Sequence, residues 1–475
     1  MKKIAVMTVA LAFAAGCSQP PAPRGTAITN VTVIDAVNGV RERQTVIFDG
    51  DEIISVAPTS DEDPAAVQTI DGSGQFLIPG LWDMHVHLTY DDAVTGLMPR
   101  SFLYYGVTSV RDTGGLMRKM KPVVDRMREP GAVSPRVFYA GPLLDGRFVV
   151  YDGKSRPEIG TSNATVAAAR RNVAALKEQG VDFIKIYELV SPDVYDALVQ
   201  AANENGLPIA SHVPLSLRAS QAGPYANSME HLRNVEMDCA SNAGELHETR
   251  RQVLSSYEPG SGYELRSSLH KLQRLAAIAM HDEERCLEVL AALRSTIQVP
   301  TTRLLTLGLQ KPDARDDWDE AFGKMPDGVR ESWQAELANA DIAGITADIR
   351  YDNWALEMIS RMHAQGVPIG AGTDTPIGFA IPGYSLLNEL DLLVRAGLPP
   401  IEALRSATIR PAEFLGLEDE MGTIAAGMKA DLVLLDANPL DDINNTRRID
   451  RVVSKGVVFL RSELDGTGPD GEHDP

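Results

Sequence analysis

Cysteine, basic charge and long apolar runs are all scarce in this chain of 475 residues, and each scarcity excludes a class of protein. Three cysteines are too few for the disulfide framework of small secreted domains. The 45 basic residues are outnumbered by 65 acidic ones, and a net charge of −20 repels the phosphate backbone of nucleic acids. Beyond the first residues, no stretch is apolar for long enough to form a membrane helix. What is left is the composition of an ordinary globular protein.

The chain opens with a pattern typical of bacterial export. Three residues, "MKK", precede an apolar stretch over 4–15 that is too short to span a bilayer, and "AAGCS" follows. Small residues before Cys17 are typical of a lipoprotein signal, in which that cysteine carries the lipid and starts the mature chain. We expect a signal over 1–17, a Pro-rich tether over 18–25, and a lipid anchor on the periplasmic side, at the outer membrane of a Gram-negative bacterium. Ordinary secretion with cleavage nearby is the alternative.

Both ends of the remaining chain carry short β-like runs. Residues 26–79 contain "TAITNVTVIDA" and "QTVIFDGDEIISVAP", with Asp-Gly and Gly-x-Gly marking turns. The same texture returns over 417–462, in "KADLVLLDANP" and "IDRVVSKGVVFL". This arrangement predicts one small β-sandwich built from both ends of the chain. The polar tail over 463–475, rich in Gly and Pro, is expected to be disordered.

Between these ends, over 80–416, strand-like and helix-like segments alternate. Two helical segments, "TVAAARRNVAALKEQG" and "DVYDALVQAANENG", end at a glycine that can cap them. Strand-like segments are predicted at 81–87, 106–112, 135–141, 181–187, 207–213, 227–232, 297–302 and 367–374. Eight strands alternating with helices predict an α/β fold with a TIM-like (β/α)8 barrel. Long helical insertions at 233–296 and 303–366 would form a lid or a substrate wall.

The segment "IPGLWDMHVHL", residues 78–88, places His85 and His87 at the end of an apolar strand. Side chains two positions apart on a strand point to the same side, so the two imidazoles converge. Packing would more naturally be served there by valine or isoleucine. Converging imidazoles at a strand end therefore indicate a metal site.

Further polar side chains fall at the same ends of other predicted strands. His212, His231 and Asp374 end the fifth, sixth and eighth strands, and Lys185 lies within the fourth, in "DFIKIY". The chemistry of a parallel barrel is located at the C-terminal ends of its strands. We therefore expect all of these side chains to meet at one rim of the barrel.

Lys185 is unusual because its neighbours on the strand are apolar on both faces, and a protonated lysine is costly to desolvate there. Burial lowers the pKa of a lysine and frees its amine. A free amine can take up CO2 and become a carbamate, an anionic ligand with two oxygens. The alternative is a buried lysine paired with an acid such as Asp112 or Asp374.

Together, "PGLWDMHVH", "GVTSVRDTGG", "FIKIY", "SHV", "EHL" and "GTD" resemble the amidohydrolase superfamily, in the branch with two metals bridged by a carboxylated lysine. The resemblance runs from about residue 26 to 460, and favours bacterial members that act like Xaa-Pro dipeptidases and metallocarboxypeptidases. It implies that His85, His87 and Asp374 hold one metal. His212 and His231 would hold the second, with the carbamate of Lys185 as the bridge. The ligand types favour Zn²⁺, with Mn²⁺ and Fe²⁺ as alternatives.

These expectations give a hypothesis for the reaction. Hydroxide attacks an amide carbonyl, and Asp374 accepts its proton and passes it to the departing amine. Tyr187 and Arg111 lie near strand ends and are offered as substrate contacts. The expected substrate is a short peptide or an N-acyl amino acid, with a lactone, a cyclic amide or a xenobiotic as the alternative. A non-catalytic metal-binding surface lipoprotein is the second alternative. The sequence leaves open whether the chain forms a homo-oligomer.

The long insertions hold the two remaining cysteines and four more histidines. Cys239 and Cys286 could pair in an oxidising compartment, and the sequence leaves this disulfide open. The histidines at 247, 270, 281 and 363 are expected to be solvated residues on helix surfaces.

Overall fold

The computed structural model describes residues 24–60, 66–154, 156–257, 260–338 and 348–465. The predicted signal with Cys17 lies outside these residues, as does 466–475 of the predicted tail. The tail is expected to be disordered from residue 463, but Glu463 and Leu464 belong to a short helix. Leu464 is buried against the main hydrophobic core, so this apolar contact extends the folded chain past 462.

The described residues contain strands from both ends of the chain and helices mainly from its middle. The strands are β1 Thr26–Asp35, β2 Gly39–Asp49, β3 Glu52–Pro58, β4 Gln68–Asp71, β5 Phe76–Pro79, β6 Leu81–Val86, β7 Val107–Asp112, β8 Arg136–Tyr139, β9 Leu143–Asp145, β10 Gly160–Ser162, β11 Ile184–Ile186, β12 Ile209–Ser211, β13 Ser228–Glu230, β14 Ile297–Val299, β15 Leu432–Leu435, β16 Ile449–Ser454 and β17 Val457–Leu460. The helices are α1 Asp92–Thr95, α2 Met98–Tyr104, α3 Met117–Arg128, α4 Val166–Glu178, α5 Pro192–Glu204, α6 Ala219–Ala222, α7 Val235–Asp238, α8 Ala243–Ser256, α9 Gly262–Ala279, α10 Glu283–Ala292, α11 Thr302–Leu305, α12 Trp318–Phe322, α13 Asp327–Ala338, α14 Ile349–Ala364, α15 Tyr384–Arg395, α16 Pro400–Ser406, α17 Ile409–Leu415 and α18 Arg461–Leu464.

Strands from both ends of the chain share one eight-stranded sheet. Its order is β17-β16-β15-β5-β1-β2-β3, and β4 pairs with β1. The sheet folds back on itself, since the Ile53 amide in β3 donates to the Met428 carbonyl just before β15 at 2.8 Å. Side chains such as Val46 and Leu432 fill the space enclosed by this fold. The predicted β-sandwich-like unit from both ends is therefore confirmed.

The middle of the chain forms a parallel barrel from two hydrogen-bonded sheets. One sheet has the order β6-β7-β8, and the other has the order β10-β9-β11-β12-β13-β14. The Asp182 amide donates to the Tyr139 carbonyl at 3.0 Å and joins the two sheets on one side. The predicted α/β fold with a TIM-like barrel is confirmed.

The eighth predicted strand, at 367–374, is reduced to isolated bridges. Ile369 pairs with Gln298 and Thr375 pairs with Val86, so this segment closes the barrel between β14 and β6. The Asp374 amide donates to the His85 carbonyl at 2.7 Å, although Asp374 itself has a positive φ of 63°. The left-handed residue breaks the regular ladder and turns the carboxylate toward the barrel rim.

The predicted helices and insertions fold as helical layers around the barrel. The helix α4 ends before Gly180 and α5 ends before Gly206, each of which has the positive φ of a helix stop. The first insertion folds into α7 to α10, and the second contains α11 to α14. None of the described helices is both long and apolar enough to cross a membrane.

Cys239 and Cys286 form a disulfide, which settles the pairing that the sequence leaves open. Cys239 directly follows α7, and Cys286 lies within α10, where both are buried. The bond therefore fastens the chain that follows β13 to the outer helices of the first insertion.

Candidate metal centre

Six predicted side chains line one pocket at the C-terminal rim of the barrel. The pocket encloses about 290 Å³. These side chains are His85, His87, Lys185, His212, His231 and Asp374. They come from five different strands or strand ends, so the fold brings together residues that lie up to 289 positions apart, from 85 to 374.

Each of the four imidazoles uses its Nδ1 atom for a hydrogen bond away from the pocket. His85 Nδ1 lies 2.7 Å from Glu230 Oε2, and His212 Nδ1 lies 2.8 Å from Glu188 Oε1. His87 Nδ1 lies 3.0 Å from the Gly114 carbonyl. All three acceptors fix the proton on Nδ1, and this leaves an unshared electron pair on Nε2.

His231 follows the same pattern through a hydroxyl group. Its Nδ1 lies 2.7 Å from Thr301 Oγ1, and that hydroxyl donates to the Pro300 carbonyl at 2.6 Å. The hydroxyl therefore accepts the proton of Nδ1. Both His231 and Thr301 have positive φ values, of 64° and 51°, which is strained for residues with a side chain. The strain is located where the chain has to aim side chains into the pocket.

Asp374 faces two of these imidazoles. Its Oδ1 lies 3.2 Å from Nε2 of His85 and 3.2 Å from Nε2 of His87. Burial raises the pKa of Asp374, but the neighbouring imidazoles of His231, His85 and His87 hold it well below its usual value. An ionised carboxylate and two unprotonated nitrogens are all electron-pair donors. Such a group at this spacing fits a cation, and His85, His231 and Asp374 are close enough together to share one.

Lys185 lies at the bottom of the same pocket on β11. Its side chain is about 1% exposed, and its Nζ has no hydrogen-bond partner among the described residues. Its Nζ lies 3.8 Å from Glu230 Oε1, which is too far for a hydrogen bond. Burial lowers the pKa of Lys185 to about 8, although the charge of Glu230 raises it. The acid within ion-pair distance of Lys185 is therefore Glu230, and not Asp112 or Asp374 as in the alternative.

Glu188 supports His212 from below and is fully buried. Its carboxylate accepts hydrogen bonds from His212 Nδ1, from His270 Nε2 and from Arg266 Nε, the last at 3.1 Å. Burial raises the pKa of Glu188, but Arg266, His270 and Arg233 together hold it well below its usual value. The anionic carboxylate makes the His212 imidazole a stronger donor to a metal.

Glu230 supports the imidazole of His85 as Glu188 supports that of His212. Its contact with Arg111 shows that the predicted substrate contact at Arg111 is wrong. The Arg111 guanidinium is buried, donates to Glu230 Oε1 at 2.8 Å and to the Ser228 hydroxyl at 2.9 Å, and lies over the Phe414 ring. It does not line the pocket. Arg111 points into the barrel interior, where it balances the charge of Glu230. The other predicted substrate contact, Tyr187, does line the pocket, with its ring 4.4 Å from that of His212.

Two of the four insertion histidines are buried, against the expectation that all are solvated. His270 on α9 contacts Glu188, and His247 on α8 is enclosed by the same helical layer. No sequence pattern connects Glu188 with a histidine 82 positions away. The sequence does carry a signal for Glu230, because a carboxylate within the predicted strand "NSMEHL" of a parallel barrel is unusual, as is Lys185 in "FIKIY".

Comparisons with known proteins agree with this fold. The model of the amidohydrolase family matches residues 333–459. A 5-methylthioadenosine/S-adenosylhomocysteine deaminase of Pelotomaculum thermopropionicum is 24% identical over 86% of this chain and 83% of its own length. A solved Xaa-Pro dipeptidase is 21% identical with a TM-score of 0.65, covering 92% of this chain and 99% of that one. A bottromycin amidohydrolase is 24% identical with a TM-score of 0.70, covering 94% and 89%.

The matched family segment and the shared barrel make this chain similar to the amidohydrolases, and its buried cluster of imidazoles and carboxylate has the donor atoms of a metal site.

Proposed function

We propose that this chain is an exported hydrolase that cleaves the amide bond of a short peptide or an N-acyl amino acid. The observation that carries the proposal is the arrangement of the rim: four Nε2 atoms, one ionised carboxylate and one unpartnered amine face a single pocket. A solved Xaa-Pro dipeptidase shares this fold, and a dipeptidase or carboxypeptidase activity is the form of amide cleavage that we propose.

The donor set fits two divalent cations, most readily Zn²⁺. His85, His87 and Asp374 would hold one ion, and His212 and His231 would hold the other. Lys185 would bridge them after its free amine has added to CO2, which releases one proton and leaves a carbamate with two oxygens. An orphaned buried amine is costly, and this modification replaces it with an anion that two cations can compensate.

When bound, the cations lower the pKa of water and polarise the carbonyl of the substrate. Asp374 is ionised at neutral pH, so it can accept a proton from the water that attacks the carbonyl carbon. The same carboxyl then delivers that proton to the amide nitrogen as the carbon–nitrogen bond breaks. The products are a carboxylic acid and an amine, and Asp374 returns to its ionised form.

Export through a lipid anchor on Cys17 is part of the proposal, and the disulfide Cys239–Cys286 supports it because disulfides persist in oxidising compartments. Cells grown with labelled palmitate should incorporate label into the wild-type protein and not into Cys17→Ser. Labelling of both proteins, or of neither, would contradict the anchor.

The proposed activity is tested with purified protein loaded with Zn²⁺ and a panel of dipeptides, N-acyl amino acids, lactones and cyclic amides. We expect release of amino acids from the first two classes, with Asp374→Asn as the inactive control. Turnover confined to lactones or cyclic amides would overturn the proposed substrate class. No turnover with any class at full metal loading would favour a binding protein.

A further inference from the structure

Arg233 is the one arginine among the described residues that line the pocket with the six rim side chains. It comes two positions after His231, in a segment where His231, Leu232 and Asn234 have positive φ values of 64°, 52° and 66°. Three such residues in a run of four are strained, and strain of this kind is found where the chain must aim particular side chains. The segment aims His231 and Arg233 into the same pocket.

The guanidinium of Arg233 is unusual because it forms no hydrogen bond with the described residues. Its buried Nε atom lies 3.6 Å from Glu188 Oε1, which is beyond hydrogen-bonding distance. The fully buried arginines near the site, in contrast, all donate hydrogen bonds. Arg111 donates to three protein groups, Arg266 donates to Glu188, and Arg303 donates to three carbonyls.

Glu188 does not use a hydrogen bond from Arg233. That carboxylate already accepts hydrogen bonds from His212, His270 and Arg266. Glu188 nevertheless compensates the charge of Arg233 from 3.6 Å, so the guanidinium can stay in the pocket without giving up a donor. Its planar array of N–H groups is left for a ligand, and the ligand group that matches such an array with two parallel hydrogen bonds is a carboxylate.

The walls beside Arg233 are apolar and aromatic. Tyr151 and Tyr187 line the pocket together with Leu143, Ile159 and Ile377. A ligand whose carboxylate meets Arg233 would place an adjoining apolar group against these walls. Neutral lactones and cyclic amides have no carboxylate to accept two parallel hydrogen bonds from the terminal N–H groups of Arg233.

We propose that Arg233 is a specificity-determining residue that binds the free carboxylate of the amino acid released by cleavage. This inference rests on the proposed function and names its substrate class: amides whose departing part is an apolar amino acid with a free carboxylate. Amides in which that carboxylate is blocked would be poor substrates, because Arg233 would then be buried against a neutral group.

The test compares each acid with its carboxamide on the Zn²⁺-loaded, full-length protein. The probes are N-acetyl-leucine against N-acetyl-leucinamide, and Gly-Leu against Gly-leucinamide, with release of leucine or leucinamide measured. Hydrogen bonds to a charged group predict that kcat/KM favours the acid by about 10- to 100-fold. Equal cleavage of acid and carboxamide would overturn this inference and leave the proposed function standing. Cleavage of none of the four would overturn both.

Variants separate recognition from a structural function. Arg233→Gln should raise KM for the acid by about 10- to 100-fold, change kcat little, and leave cleavage of the carboxamide unchanged. Arg233→Lys keeps the charge but loses the planar array, so its KM for the acid should lie between those of wild type and Arg233→Gln. This variant also keeps the test valid if Arg233→Gln misfolds. The exposed Arg147, which lies beside the ring of Phe148, supplies the control Arg147→Gln with wild-type values. An equal loss on acid and carboxamide in both Arg233 variants would show a structural function instead.

Discussion

Removing the charge of Glu188 tests whether the groups behind the imidazoles prepare this site for metal. Glu188→Gln keeps the shape of the side chain but has one acceptor oxygen and one NH2 group. Glu188 accepts three N–H groups, from His212, His270 and Arg266, so the NH2 group must face at least one of these donors. The variant would lose the anion that holds the His212 proton on Nδ1 and strengthens Nε2 as a donor.

Two magnitudes follow for Glu188→Gln. Loss of a partner behind a metal-binding imidazole typically weakens metal binding by about 10- to 100-fold, or about 1.4 to 2.7 kcal/mol. The buried Arg266 also loses the charge that compensates it, and breaking a buried ion pair costs about 3 to 5 kcal/mol of the free energy of unfolding. We expect the weaker binding at one metal position only, because His85 and His87 rely on Glu230 and Gly114 instead.

The assay is a Zn²⁺ titration of metal-free protein in competition with a chelating dye, with the unfolding temperature measured on the same samples. Wild type should bind two ions per chain. Glu188→Gln should bind one ion as tightly as wild type does and the other more weakly. Glu264→Gln is the matched control, since Glu264 is exposed on the same helix as Arg266 and His270. A folded Glu188→Gln protein that binds both ions as tightly as wild type would refute the reasoning.

Three further predictions concern the base, the bridge and the disulfide. Asp374→Asn should keep most of the bound metal and lower kcat by about 10²- to 10⁴-fold, measured by turnover and metal analysis on one preparation; unchanged turnover would exclude Asp374 as the proton acceptor. Lys185→Ala should lose bound metal and activity, and added acetate or propionate should restore part of both; full metal content and full activity without additive would rule out the carbamate. The double variant of Cys239 and Cys286 to serine should unfold with about 4 kcal/mol less stability by the loop-entropy relation for the 47-residue separation; an unchanged denaturation midpoint would contradict a structural disulfide.

The parts of this protein that the sequence predicts are those fixed by local chemistry. His85 and His87 share a strand face by alternation alone, and Lys185 is conspicuous because no apolar strand tolerates a charged amine without a reason. The stops of α4 and α5 follow from the positive φ that Gly180 and Gly206 can adopt. For these features, neighbouring residues carry enough information.

The parts that the sequence does not predict depend on contacts between distant segments. His270 and Arg266 reach Glu188 across 82 and 78 positions, because the first insertion packs over the barrel. Arg111 has the same residue type as Arg233 and an equally suggestive position at a strand end. The structure nevertheless buries Arg111 under the rim and leaves the donors of Arg233 free. Whether an arginine donor is bonded or free depends on which carboxylate its guanidinium contacts in the folded chain, Glu230 for Arg111 and Glu188 for Arg233.

The most direct test of the central claim is anomalous diffraction at the zinc edge from crystals grown with Zn²⁺. We predict two peaks in the pocket, one beside His85, His87 and Asp374 and one beside His212 and His231, with electron density extending from Lys185 Nζ between them. An empty pocket at saturating Zn²⁺, or peaks at other places on the surface with an unmodified Lys185, would contradict the account.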